Sequence, residues 1–247
     1  MHLAAPLLLL ALAAPLAAQS QTIQPATSEA AVETRTFALA PGGTVKVKNV
    51  NGTVKVLAWE KDEVAFTGTF KPSSRDGHAR VRVDASGTSL TFKVEQPKEG
   101  WFKTASASVG LELRVPRRVS ARISTVNGSV QVEGVEGSHQ LETVNGAIHA
   151  RDLKGGLEME TVNGAIHGDA LAGITGGLTA ETVNGSVTLE LGPIRGQLSA
   201  RTVNGGIHFN AKGAEQVDIS KRKVRATFPG STQALSISTV NGSVTLK

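Results

Sequence analysis

Apolar and polar residues alternate with the two-residue period of a strand over most of the chain, and from Ile123 onward the alternation recurs as a unit. Six copies of Thr-Val-Asn-Gly end at Gly128, Gly146, Gly164, Gly185, Gly205 and Gly242. Two residues before each Thr the position is apolar (Ile123, Leu141, Met159, Ala180, Ala200, Ile237), and the next is polar (Ser124, Glu142, Glu160, Glu181, Arg201, Ser238). Three residues after each Asn stands Val130, Ile148, Ile166, Val187, Ile207 or Val244, followed by polar Gln131, His149, His167, Thr188, His208 or Thr245. The unit reads as strand, corner, strand. Its inward parity changes across the corner, from odd Met159 to even Ile166, so the chain bends or bulges there with the motif Thr inward. Asn and Gly are expected at the corner because both tolerate left-handed backbone angles.

The spacing selects the architecture. Successive motif Asn residues lie 18, 18, 21, 20 and 37 residues apart, a period that marks units burying their apolar side by stacking on neighbours. The last step is close to two periods and reads as a coil that has lost its signature. An apolar-X-Gly triplet precedes four motifs: Val135-Glu136-Gly137, Leu153-Lys154-Gly155, Ile174-Thr175-Gly176 and Ile194-Arg195-Gly196. From its Gly to the next Thr is always 6 residues, whereas from Asn to that Gly is 10, 10, 13 or 12, which confines length variation to one arc. The rival reading takes each Asn-Gly as a hairpin turn between antiparallel strands. Hairpins give no reason for an identical corner in every unit. Parallel stacking does, because corner amides at the ~4.8 Å strand spacing can hydrogen-bond as a ladder. The expected structural corners are Asn51 (in the imperfect copy Asn49-Val50-Asn51-Gly52), Asn127, Asn145, Asn163, Asn184, Asn204 and Asn241 with the six motif glycines. The expected fold is an all-β, parallel β-helix-like solenoid, right-handed, of about seven coils of 18–21 residues with an irregular N-terminal β region.

Four segments follow from this pattern. Residues 1–18 read as a secretory signal, with an apolar run too short to span a membrane and small residues before a cut after Ala18. Residues 19–34, rich in Gln, Thr, Ala and Ser, read as a flexible leader. Residues 35–120 carry strands at Thr44–Lys48, Thr53–Val56, Val64–Phe70, Ala79–Asp84, Ser89–Glu95 and Gly110–Val115. Trp59, Phe66, Phe70, Phe92, Trp101 and Phe102 are expected to thicken this region into a cap over the solenoid end. Residues 121–247 are the repeats. Ser243–Lys247 ends the chain on a strand with no evident cap, so end-to-end self-association through that coil is expected to compete with a monomer.

Composition narrows function by exclusion. The chain has no cysteine, which excludes disulfides and thiol chemistry, and no second apolar stretch that would span a membrane. Its net charge of +5 comes from scattered basic residues, apart from Arg114, Arg117, Arg118, Arg122 and the run Lys221-Arg222-Lys223-Val224-Arg225. These read as a solvated face or as contacts to anionic envelope polymers or lipid headgroups. Export and the lack of basic-aromatic interleaving exclude nucleic acid as a partner. Glu142, Glu160 and Glu181 fall at equivalent outward positions with Arg201 next, and His149, His167 and His208 form another outward column interrupted by Thr188. They are the candidate ligand face. One acid per coil is too few for calcium, and a single histidine column does not converge on a metal, so no cofactor or metal is expected. No nucleophile elbow, zinc-protease motif or phosphate-cradling loop occurs. A polysaccharide-cleaving solenoid would draw on Asp152, Asp169 and the glutamates, but the repeats offer only Phe209 and Phe228 for sugar stacking. An ice-binding face is disfavoured because Thr points inward.

With these residues in hand, the chain resembles a bacterial family of proposed adhesins built from β-strand repeats, a domain of unknown function. The resemblance rests on Val54-Lys55-Val56-Leu57-Ala58-Trp59-Glu60-Lys61-Asp62-Glu63-Val64, on Val115-Pro116 before the repeats, and on the serial Val-Asn-Gly corners, covering roughly Thr36 to Lys247. It implies a β-solenoid in an exported, periplasmic or surface protein and brings no catalytic residues. The expected function is a non-enzymatic binding or scaffolding surface of the cell envelope. Its partner would be an envelope polysaccharide, lipid headgroups or another envelope protein. A carbohydrate-active enzyme and a self-assembling structural protein are the alternatives.

Overall fold

Strand-forming alternation is realised almost everywhere along the residues that the computed structural model describes, 19–25, 30–72, 79–96, 107–230 and 233–247. The expected signal segment, and Trp101 and Phe102, lie outside them. The N-terminal half supplies β1 (Gln19–Ile23), β2 (Ala31–Ala38), β3 (Gly43–Lys48), β4 (Val54–Trp59), β5 (Glu63–Lys71), β6 (Arg80–Ser86), β7 (Ser89–Glu95) and β8 (Ser108–Pro116). Each motif then joins a long strand to a short one: β9 (Val119–Asn127) to β10 (Val130–Glu133), β11 (Glu136–Asn145) to β12 (Ile148–Arg151), and β13 (Lys154–Asn163) to β14 (Ile166–Asp169). The series continues with β15 (Ile174–Asn184) and β16 (Val187–Leu189), then β17 (Gly196–Asn204) and β18 (Ile207–Phe209). A hairpin, β19 (Gln216–Ser220) and β20 (Lys223–Phe228), precedes the last pair, β21 (Ala234–Asn241) and β22 (Val244–Leu246).

The segment read as a flexible leader, 19–34, instead contributes strands. β1 pairs antiparallel with β6, and β2 with β5. Their alternation is masked in the sequence by Gln and Thr, which the sheet edge tolerates.

The strands form two sheets. The larger has 12 in the order β1-β6-β7-β3-β9-β11-β13-β15-β21-β17-β20-β19, and the smaller has 10 in the order β18-β22-β16-β14-β12-β10-β4-β8-β5-β2. Pairing is parallel from β7 through β17 in the larger sheet and from β18 through β8 in the smaller. Antiparallel strands flank it at one or both ends: β6 and β1 beyond β7, β5 and β2 beyond β8, β20 and β19 beyond β17. The Asn-Gly corners therefore link parallel rungs, and the hairpin reading is excluded.

One expectation about order fails. The 37-residue step does not hide a worn coil. After β18 the chain makes the β19–β20 hairpin and returns, so that β21 lies between β15 and β17 and β22 between β16 and β18. The C-terminal strand is thus an interior strand with Val244 and Leu246 fully buried, and end-to-end association through it is ruled out.

Between the sheets the core is continuous. Inward residues of the long strands (Ile123, Leu141, Met159, Ala180, Ile237, Ala200) face those of the short ones (Val130, Ile148, Ile166, Val187, Val244), all buried. The apolar members of the triplets, Val135, Leu153, Ile174 and Ile194, close the second corner from inside. Extra length on the variable arc is absorbed by a 3₁₀ turn at Leu171–Gly173 and a loop carrying Leu191, with both leucines buried. At the N-terminal end Phe66 stacks on Phe92 at 5.5 Å and Phe37 meets Phe92 edge-on at 5.5 Å, filling the space between the sheets.

Candidate functional site

Register converts each motif position into a column. Thr125, Thr143, Thr161, Thr182, Thr202 and Thr239 point inward and are buried. Five of them donate Oγ1 to the motif-glycine carbonyl of the rung before, at 2.8–3.0 Å: Thr143 to Gly128, Thr161 to Gly146, Thr182 to Gly164, Thr239 to Gly185 and Thr202 to Gly242. The first rung departs from the rule. There Asn49 Nδ2 donates to the Gly52 carbonyl, and Thr125 Oγ1 has no partner. Outside, the asparagines form a one-directional ladder in which Asn127 donates to Asn51, then Asn145 to Asn127, Asn163 to Asn145, Asn184 to Asn163, Asn241 to Asn184 and Asn204 to Asn241, each at 2.7–2.9 Å.

The corner glycines follow from proximity rather than from backbone hand. None of Gly128, Gly146, Gly164, Gly185, Gly205 or Gly242 has a positive φ, and neither does any corner Asn. The expectation of left-handed corners is corrected accordingly. A Cβ at any of these six glycines would overlap the carbonyl oxygen of the glycine in the adjoining rung. Left-handed angles occur at the second corner instead, at Gly134, Asp152 and Ala170 in successive coils.

Between Thr and Asn the motif exposes a valine. Val126, Val144, Val162, Val183, Val240 and Val203 stand in consecutive rungs, each 39–54 % exposed. Composition and period did not single out this row, although one valine per repeat at an outward parity was its signal. Two residues upstream runs a charged row on the same face. Across the larger sheet it reads Arg82, Lys93, Lys48, Ser124, Glu142, Glu160, Glu181, Ser238, Arg201, Lys223. Three acids lie at the centre and basic residues lie beyond them on both sides. Ser238 of the inserted coil separates Glu181 from Arg201, so the expected direct neighbourhood of those two is corrected. Glutamates and valines together wall a shallow groove of about 390 Å³, with Glu142, Glu160 and Glu181 along one side and Val144, Val162 and Val183 along the other.

The carboxylates feel one another. Partial burial raises the Glu160 pKa above the usual carboxylate range, helped by the charge and hydrogen bonding of Glu158 and by the charges of Glu142 and Glu181. The opposite face carries the histidines. His149 and His167 stack with ring centroids 5.0 Å apart, but His208 is not their neighbour. Thr188 and Thr245 both intervene, again because the last coil is inserted. The glutamate and histidine columns therefore belong to different sheets and do not converge. Among the described residues no group of three or more His, Asp or Glu is placed to hold a metal ion. Asp152 and Asp169 lie at the second corner, away from the glutamate row.

His139 was not singled out by sequence. It is 2 % exposed in an inward column that runs through Val45, Ala121, His139, Leu157, Leu178, Leu235 and Leu198. Its Nδ1 accepts from the Ala121 N–H at 3.4 Å and its Nε2 has no partner. Burial pushes its pKa below the ordinary histidine value, opposed in part by the backbone of Lys154 and Val135. Of the basic residues, Arg117 forms an exposed ion pair with Glu60, and this pairing holds the Glu60 carboxyl below its usual range. Among the described residues no helix is long and apolar enough to cross a membrane.

Comparison with known proteins gives a family and distant relatives in structure. The family model described as Toastrack DUF4097 matches residues 41–247. No curated protein matches significantly. A proposed cell adhesion protein of Clostridium sporogenes is similar over 89 % of this chain and 99 % of its own, at 11 % identity and a TM-score of 0.46. A proposed adhesin of Bacteroides fragilis is similar over 88 % and 97 %, at 10 % identity and a TM-score of 0.38.

Proposed function

The chain belongs to the Toastrack DUF4097 family, and from that premise we propose that it is a non-enzymatic binding or scaffolding protein of the cell envelope, exported to the periplasm or cell surface. The observation that carries this reading is the row of six exposed valines beside the patterned charge row on the larger sheet. A contiguous exposed apolar strip rimmed by charge is an interaction surface by its energetics, since covering it releases water from methyl groups while the rim sets orientation. Its straightness suits an extended partner, an envelope polymer, a headgroup layer or another envelope protein. Polysaccharide cleavage is less well supported: the groove has carboxylates on one wall but valines rather than aromatics on the other.

The test is an array of envelope polysaccharides and anionic vesicles probed with the exported protein and two variants. Val144→Thr/Val162→Thr/Val183→Thr should weaken the strongest interaction at least about tenfold, as expected for the apolar centre of a contact. His149→Ala/His167→Ala on the smaller sheet should leave it unchanged. Equal binding by the valine variant, or loss confined to the histidine variant, contradicts the assignment of the face.

A further inference from the structure

We propose that β19 pairs antiparallel with β19 of a second copy of this chain, joining two larger sheets edge to edge. The strand ends the larger sheet, and no described strand lies on its outer side. All five of its residues are exposed, including Val217 at 45 % and Ile219 at 59 %. An edge strand offers a row of unpaired N–H and C=O groups, and natural proteins blunt such edges with charge, proline or a cover. β2, which ends the other sheet, carries an ion pair between half-buried Glu33 and exposed Arg35. β19 has one charge, Asp218, and two bare aliphatic side chains on the face that continues the core.

The occupant follows from register. A two-fold axis through Asp218 sets Val217 opposite Ile219 of the other copy twice and Gln216 opposite Ser220 twice, and it brings Glu215, in the bend just before the strand, toward Lys221, in the hairpin turn just after it, twice. Apolar residues meet apolar ones and opposite charges meet at both ends. The two Asp218 side chains do face each other on the outer side, but each lies directly across from Arg225 of its own β20. The row of four reads Arg, Asp, Asp, Arg and is neutral. A slip of one residue turns both aliphatics against polar partners. Moving the axis by one residue along the strand sets Val217 against Lys221, or Glu215 against Ile219. One register satisfies both the apolar face and the charges, and it is symmetric, which favours a second copy over an unrelated strand. A five-residue edge buries little area, so the dimer is weak and concentration-dependent.

Sedimentation equilibrium of the whole exported chain, followed through the micromolar range, tests this. The wild type should show a reversible monomer–dimer equilibrium, and Val217→Lys/Ile219→Lys should be monomeric with an unchanged circular dichroism spectrum. Glu215→Lys and Lys221→Glu should each weaken the dimer by about tenfold, because each sets like charges opposite twice. The double variant Glu215→Lys/Lys221→Glu should return to within about twofold of the wild type, as a cross-strand pair would. A strictly monomeric wild type, a dimer indifferent to Val217→Lys/Ile219→Lys, or a double variant weaker than either single one overturns the proposal.

Discussion

At the level of single residues, each Thr-Val-Asn-Gly motif divides its tasks among four residues. Thr satisfies a glycine carbonyl from inside in every rung but that of Thr125, Val faces solvent, Asn ties rung to rung, and Gly permits the approach. Thr and Asn were legible because parity and repetition fixed where they point. His139 was not, because a histidine among polar neighbours in sequence gives no sign that its column is otherwise aliphatic. Its burial has a consequence for pH. The folded pKa lies below the ordinary value of ~6.5, so the unfolded chain takes up the proton first. Stability from this site is complete above ~6.5 and is lost as pH falls through the depressed folded value. Thermal melts from pH 7 to pH 5 should therefore fall more steeply for the wild type than for His139→Leu. Parallel slopes would show that His139 does not contribute to acid sensitivity.

A rung is stable only as part of a stack, and its corner is where stacking is closest. The asparagine ladder lies at the surface, where each hydrogen bond contributes modestly, about 1 kcal/mol. The glycine column tolerates less. Gly164→Ala would drive a Cβ into the Gly146 carbonyl, which already accepts from Thr161, and neither backbone can yield without displacing its own neighbours. It should cost about 3 kcal/mol or more in urea unfolding. Gly206→Ala, where a Cβ meets open space, should stay within about 0.5 kcal/mol. Equal effects at the two sites would mean that the rungs do not stack at the corner as described. Sequence pointed to these glycines for a different reason, left-handed angles. That role belongs to the second corner, where Asp152 and Ala170 adopt positive φ without being glycine, so residue type alone did not reveal it.

Over the whole molecule, the period made the parallel two-sheet stack legible, while the order of its coils was not. A motif says that a rung exists, not which rung it lies against. The coil of Asn241 fits equally well on either side of Asn204 by local pattern. It takes the inner place because the β19–β20 hairpin occupies the outer edge of β17, which leaves the returning strand β21 the opposite edge, facing β15. That insertion buries the C-terminal strand and moves the exposed edge to β19. It also breaks both side-chain columns, setting Ser238 beside Glu181 and two threonines between His167 and His208. Strands β3 to β8 lie close to where the alternation places them, whereas β1 and β2 fall largely in the segment that reads as a leader, and the role of these strands in extending both sheets beyond the first rung emerges only from pairing.

Because the chain lacks cysteine, pairs introduced into the valine row report rung order directly. Adjacent parallel strands bring equivalent Cα atoms to about 4.8 Å, within disulfide range, and strands two rungs apart do not. Under mild oxidation Val183→Cys/Val240→Cys and Val240→Cys/Val203→Cys should cross-link within one chain, and Val183→Cys/Val203→Cys should stay reduced. Cross-linking of the 183/203 pair with none for 183/240 would mean that the coils stack in sequence order and would contradict the interleaved solenoid.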